Sequence, residues 1–100
     1  MARALTVSRV RVRAGQEAAY LAAVGELAAL HEARGRHLWV FRRPGEAGLF
    51  LEFSESREAA SHRAVAEPPA DEQAIESRIR AVAQYEPGSW DLWEEVRSQG

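Results

Sequence analysis

From Leu5 to Arg13 apolar and polar residues alternate, the two-residue period of a half-buried strand. Ala14-Gly15 breaks that period. From Gln16 to Arg34 the apolar stripe of Tyr20, Val24, Leu27 and His31, flanked by Ala23 and Leu30, follows helical spacing, and Gly35 supplies a C-terminal stop. His37–Arg42 is aromatic and branched, Arg43–Gly48 carries turn residues, and Leu49–Phe53 resumes a strand, so this stretch predicts a hairpin. Ser54 or Ser56 then caps an alanine-rich second helix, with Glu55 and Glu58 in its first turn, that ends before Pro68-Pro69. Asp71 opens a third helix running through about Tyr85, with Ile75, Ile79 and Val82 at i, i+4 and i+7. Pro87-Gly88 stops it, and Ser89–Val96 predicts a fourth strand. The resulting order is β-α-β-β-α-α-β. It is an α+β, ferredoxin-like arrangement of four antiparallel strands with helices on one face, one domain over residues 1–100.

Three of the strands are apolar on both faces. Leu38 and Val40 oppose Trp39 and Phe41; Leu49, Leu51 and Phe53 oppose Phe50; Trp90 and Leu92 oppose Trp93. Helices on one side cover one face, and large aromatics left on the other would form an apolar patch beyond the usual few hundred Å². The pattern therefore predicts a homodimer in which the sheets of two copies meet across a two-fold axis. The alternative is that loops and the C-terminal tail fold over that face.

Composition narrows the chemistry. There is no cysteine, which excludes disulfides and thiolate-bound metal clusters, and all 13 cations are arginine, which removes Schiff-base chemistry. The chain has 19 alanines and no asparagine, a bias spread through all its segments. The net charge of −2 and the lack of a basic tail argue against bulk affinity for nucleic acid or an anionic membrane. No run of about 18 apolar residues is present and the first ten residues hold no leader pattern, so the expected setting is the cytoplasm. Among the histidines, His31, His37 and His62 lack metal-ligand spacing, and no glycine fingerprint for nucleotides is present. Neither a metal nor a cofactor is expected.

The segments Val10–Glu17, Phe41–Glu52 and Glu55-Ser56-Arg57-Glu58-Ala59 resemble the antibiotic-biosynthesis-monooxygenase-like group of dimeric α/β-barrel proteins. That resemblance covers most of residues 5–66. It implies two sheets facing each other in a dimer, a small-molecule pocket between each sheet and its own helices, and cofactor-independent oxygenation of small phenolic or quinone-forming aromatics. The chain also departs from the group. A histidine is common in it four residues after the alanine matching Ala59, where this chain has Arg63, with His62 one position short. One residue turns a helical side chain by about 100°. The asparagine, tryptophan and histidine of haem-degrading relatives fall on Ser8, Arg63 and Gln73, which disfavours haem degradation.

Such oxygenation needs a base to ionise a phenol or enol and a dry aromatic slot where the anion meets oxygen. The candidate bases are Glu52, His62 and His37. The candidate lining of a ligand pocket is Ser8, Tyr20, Trp39, Arg63 and Trp90. Each has a plainer reading: Glu52 as cross-strand partner of Arg9 or Arg11, His37 and His62 as surface residues, the tryptophans as core or interface. Arg9, Arg11 and Arg13 either receive an anionic substrate or pair with Glu52, Glu94 or Glu95. Two other functions compete: a non-catalytic dimeric module that binds a small ligand or only assembles, and an RNA-recognition sheet. For the latter, Phe50-Leu51-Glu52-Phe53 matches half of a signature whose basic first half is missing.

Overall fold

The computed structural model describes residues 4–56, 68–89 and 91–96 of the chain. Strand β1 (Ala4–Val12) lies at the centre of an antiparallel sheet. Helix α1 (Glu17–Ala33) follows it, then the hairpin β2 (His37–Arg42) and β3 (Leu49–Ser56), helix α2 (Ala70–Val82), and two short strands, β4 (Ala83–Tyr85) and β5 (Leu92–Glu94). The sheet order is β2-β3-β1-β4, and β5 also pairs with β1. This is the ferredoxin-like order expected from the sequence.

The period of two places β1 unambiguously. Ala4, Thr6, Ser8, Val10 and Val12 are buried toward the helices, while Arg9 and Arg11 are exposed on the opposite face. Helix α1 sends Tyr20, Ala23, Val24 and Leu27 into the same layer, and α2 adds Ile75 and Ile79. With Phe50 from β3 they form one core cluster on the helix side of the sheet. The opposite face carries Trp39, Phe41 and Trp93, which are 42%, 56% and 60% exposed. Phe41 and Phe53 meet edge to face at 5.3 Å there, and His37 stacks on Trp39 at 5.5 Å. Two apolar faces, one of them uncovered by α1 and α2, follow from the strand patterns.

Three boundaries differ from the sequence expectation. Strand β3 does not end at Phe53: Ser54, Glu55 and Ser56 continue it, paired with Thr6, Leu5 and Ala4. Ser54 is therefore a strand residue and not a helix cap; a long partner in β1 supplies backbone acceptors and donors that outweigh a local capping preference. The expected second helix falls otherwise in residues 57–67, outside the described residues. The third helix stops at Val82, not Tyr85, because Ala83 turns extended (φ −142°, ψ 154°) and residues 83–85 pair with Val12, Arg11 and Val10. The fourth strand, expected over Ser89–Val96, is shorter, β5 covering Leu92–Glu94, and pairing along this edge of β1 stops at Val10↔Tyr85 and resumes at Thr6↔Leu92. Pro87 has no amide hydrogen to offer the ladder and disfavours helix at Glu86 before it.

The hairpin loop depends on Gly48. Its φ is +81°, and a Cβ there would sit 2.8 Å from the Val12 carbonyl oxygen, while Val12 N–H donates to the Gly48 carbonyl at 2.7 Å. Gly48→Ala combines a left-handed backbone with a backbone collision, so a loss of about 1–3 kcal/mol is expected. For a domain of this size that lowers Tm by about 4–8 °C per kcal/mol, measurable by a circular-dichroism melt. An unchanged Tm would contradict the close approach.

Candidate functional site

On the helix face, β1 and β3 bring Ser8 directly opposite Glu52. The Glu52 carboxylate is 5% exposed. Tyr20 comes down from α1 and donates to Oε2 at 2.6 Å. Tyr85, the last residue of β4, donates to both carboxylate oxygens, at 3.0 Å to Oε1 and 2.9 Å to Oε2. Burial pushes the Glu52 carboxyl above the usual carboxylate range, against the lowering effect of the two phenol donors, and the nearby Glu76 adds to the rise. Both phenols are themselves pushed far up, by burial first and by the Glu52 charge second, so they stay protonated donors. The arrangement is a dry carboxylate with two hydroxyl donors and an elevated proton affinity.

The remaining floor beside Glu52 is small and polar. Thr6 and Ser8 are buried, and Ser54 pairs across from Thr6 on the same face. Ser8 Oγ donates to the Ser89 carbonyl at 2.7 Å, which ties this floor to the 86–91 segment. Around Tyr20, Leu27 and Ile79, by contrast, the space between sheet and helices is filled: all three are buried in the core cluster. Tyr20 packs on the Phe50 ring at 4.9 Å.

Of the residues expected at the site, Glu52, Tyr20 and Ser8 are brought together. Trp39 and His37 are not: both lie on the opposite face, because residues 37, 39 and 41 alternate with Leu38 and Val40. Trp39 there lines an open groove of about 520 Å³ with Leu5, Phe41, Phe53 and Trp93, and with the acidic Glu55, Glu94 and Glu95. It is thus not part of a pocket between sheet and helices. His62, Arg63 and Trp90 lie outside the described residues. The pairing of Glu52 with Arg9 or Arg11 is overturned, because odd-numbered arginines of β1 point away from the even-numbered Ser8 that faces Glu52. Arg9 and Arg11 approach Glu86 at 3.9 and 3.0 Å, and Arg11 also reaches Glu46 at 3.4 Å.

Tyr85 is the partner that sequence reasoning missed, having placed it at a helix end. The signal was available: a strand carboxylate facing the core without a cation on its face requires hydroxyl donors, and the chain contains two tyrosines. A second buried charge cluster joins the end of α1 to the start of α2. Glu72, wholly buried, accepts from Arg36 Nη2 at 2.7 Å and from Arg34, and its Oε1 lies 3.4 Å from His31 Nε2 without the alignment of a hydrogen bond. Burial, and then the Arg36 charge, holds His31 below the usual histidine range. Among the described residues no group of three or more histidine, cysteine, aspartate or glutamate side chains could hold a metal ion. No helix of the described residues is long and apolar enough to cross a membrane.

No protein-family model matches the sequence, nor does any curated protein. Solved structures do match. A candidate antibiotic biosynthesis monooxygenase from Caulobacter crescentus superposes with a TM-score of 0.78 at 14% identity, over 96% of this chain and 92% of that one. SnoaB, a cofactor-independent oxygenase from Streptomyces nogalater, superposes with a TM-score of 0.72 at 16% identity, over 100% of this chain and 97% of its own. A Bacteroides thetaiotaomicron protein of unknown function gives 0.75 at 18% identity, over 94% and 96%. At such identities the likeness is one of fold: the chain has the fold of antibiotic-biosynthesis-monooxygenase-like proteins, as the Val10–Glu17 and Phe41–Glu52 segments led one to expect.

Proposed function

We propose that the chain is a cytoplasmic, homodimeric, cofactor-independent monooxygenase acting on small phenolic or hydroquinone-type aromatic compounds, with Glu52 as its base. The buried Glu52 carboxylate carries this reading: its proton affinity is raised by burial, and its partners are phenol hydroxyls, the group such a substrate presents. Glu52 takes the proton of a substrate hydroxyl or enol, leaving an electron-rich anion able to react with O₂. For an activated ring CH₂ the balance is CH₂ + O₂ → C=O + H₂O, one oxygen atom entering the product and the other leaving as water. Thr6, Ser8 and Ser54 are the small polar side chains on the same face beside Glu52, where a ring would have to be seated. His62 as a base and Arg63 as a lining residue stay candidates from the sequence, although the histidine common in the resembled group falls on Arg63 and not on His62.

The homodimer uses the other face. Trp39, Phe41 and Trp93 are too large and too exposed to stand alone on a sheet, and a second copy buries them most simply. Light scattering at micromolar concentration is expected to give twice the 11.1 kDa chain mass. A folded, soluble particle of a single chain would remove the dimer.

Oxygen uptake tests the reaction. With a panel of hydroquinones and polyphenols, consumption of one O₂ per substrate molecule oxygenated, with one oxygen atom gained by the product and no hydrogen peroxide released, is the expected result. A second reading, a dimeric ligand-binding or assembly module, is favoured by the filled space around Tyr20, Leu27 and Ile79. No uptake together with a thermal shift on the same compounds would select ligand binding, and no shift at all would leave assembly.

A further inference from the structure

The two tyrosines that hold Glu52 are not equivalent. Tyr20 is wholly buried in the first turn of the seventeen-residue helix α1, with its ring packed on Phe50. Tyr85 is half-buried and ends a three-residue strand: the β1–β4 ladder stops at Val10↔Tyr85, and residues 86–91 leave the regular register. Beyond it the backbone edge continues with the Glu86 N–H bond to the Arg9 carbonyl, at 2.9 Å, and the segment is otherwise held to β1 by side chains, Ser8 to the Ser89 carbonyl and Arg9 and Arg11 to Glu86. A side chain at the end of a short ladder moves at lower cost than one inside a packed helix. Its hydroxyl is forked across both carboxylate oxygens, whereas Tyr20 engages Oε2 alone.

We infer that the Tyr85 hydroxyl occupies the seat on Glu52 that the acidic hydroxyl of a phenolic ligand takes, and that Tyr85 swings out as the ligand enters while Tyr20 stays. This rests on the reading of Glu52 as the base for phenols. Geometry supports the ligand class, since the seat already receives a phenol. In the exchange, the ligand O–H replaces the Tyr85 O–H on Glu52; the ligand proton then passes to a carboxylate oxygen, breaking one O–H bond and forming another, with the negative charge left on the ligand oxygen. Tyr85 does not undergo that transfer, because burial and the Glu52 charge hold its proton. It is therefore a positioning residue, keeping the empty carboxylate satisfied and giving way to a more acidic hydroxyl.

The experiment uses the full chain without oxygen and 4-nitrophenol as probe, its absorbance separating the neutral from the ionised form. Tyr85→Phe removes the internal competitor and is expected to bind the probe roughly tenfold more tightly, whereas Tyr20→Phe brings no such gain. Glu52→Gln is expected to abolish ionisation of the bound probe. The wild-type protein offers an independent reading, because the chain has only two tyrosines. With ring-labelled tyrosine, one NMR signal, assigned to Tyr85 by its loss in Tyr85→Phe, is expected to shift strongly on probe addition while the other stays. Unchanged or weaker binding by Tyr85→Phe, an equal gain in Tyr20→Phe, or a shift of both signals or neither would overturn the inference. Displacement without oxygen uptake on any substrate would instead retire the oxygenase reading and leave the seat standing.

Discussion

Replacing Glu52 with glutamine is expected to lower oxygen uptake by about 10²–10⁴-fold, the range that a positioned general base contributes. The glutamine carbonyl can still accept a hydrogen bond from Tyr20 or Tyr85, so the variant should remain folded and the loss should fall on turnover. Stability gives the matching control. Burial raises the Glu52 carboxyl in the folded state above its value in the unfolded chain. The folded protein then holds a proton that the unfolded chain has released, so this group's contribution is fully present below the unfolded value and is lost as pH rises through the folded one. Thermal melts between about pH 4 and pH 8 should therefore show wild type losing ground to Glu52→Gln as pH rises. A folded Glu52→Gln protein with undiminished uptake would remove Glu52 as the base. A stability difference that moves the opposite way would mean that the two phenol donors outweigh burial.

Glu72→Ala is expected to cost about 3–5 kcal/mol, the usual consequence of removing one partner from a buried charge cluster. The Glu72 side chain is wholly buried, and the Arg36 side chain that donates to it is only 13% exposed. Without the carboxylate, Arg36 keeps its charge in a poorly solvated place beside neutral His31. Net stabilities of single domains are about 5–15 kcal/mol, so this one substitution removes a large share. A urea titration reads the effect as a fall in midpoint at unchanged slope. Glu72→Gln, which keeps an acceptor oxygen but not the charge, should fall between the two. A loss under about 1 kcal/mol for the alanine variant would show that Arg36 finds water or another partner without cost.

The layer order and the two-faced sheet were legible in the chain because both rest on periodicity. Ser8 and Val10 had to share a face, and Trp39 had to oppose Val40, whatever the tertiary contacts. The same rule, applied across strands, was enough to separate Glu52 from Arg9, but it needs the register, and register is set by which residues meet, not by which residues alternate. Hence Glu52 was found as a candidate while its partners were assigned wrongly. Residues 83–85 show a different limit. Ala83-Gln84-Tyr85 is acceptable in a helix, and what draws it into β4 is the unpaired edge of β1, some 70 positions earlier in the chain. The Glu72 cluster was invisible for a similar reason: acidic residues in a first helical turn suit the dipole, and nothing local indicates that Arg34 and Arg36 close over one of them.

The break between β4 and β5 has a consequence for how these molecules behave beside one another at high concentration. An outermost strand running straight from residue 83 to 94 would offer neighbouring chains a long row of amides and carbonyls, the template on which sheets extend into insoluble stacks. The surplus residues at 86–91 chop that row into two pieces of three, each too brief to nucleate such growth, and Pro87 withholds one amide altogether. Protection against runaway stacking on this flank thus comes from an irregular outline, not from the lysines that commonly guard such borders and that this chain does not contain.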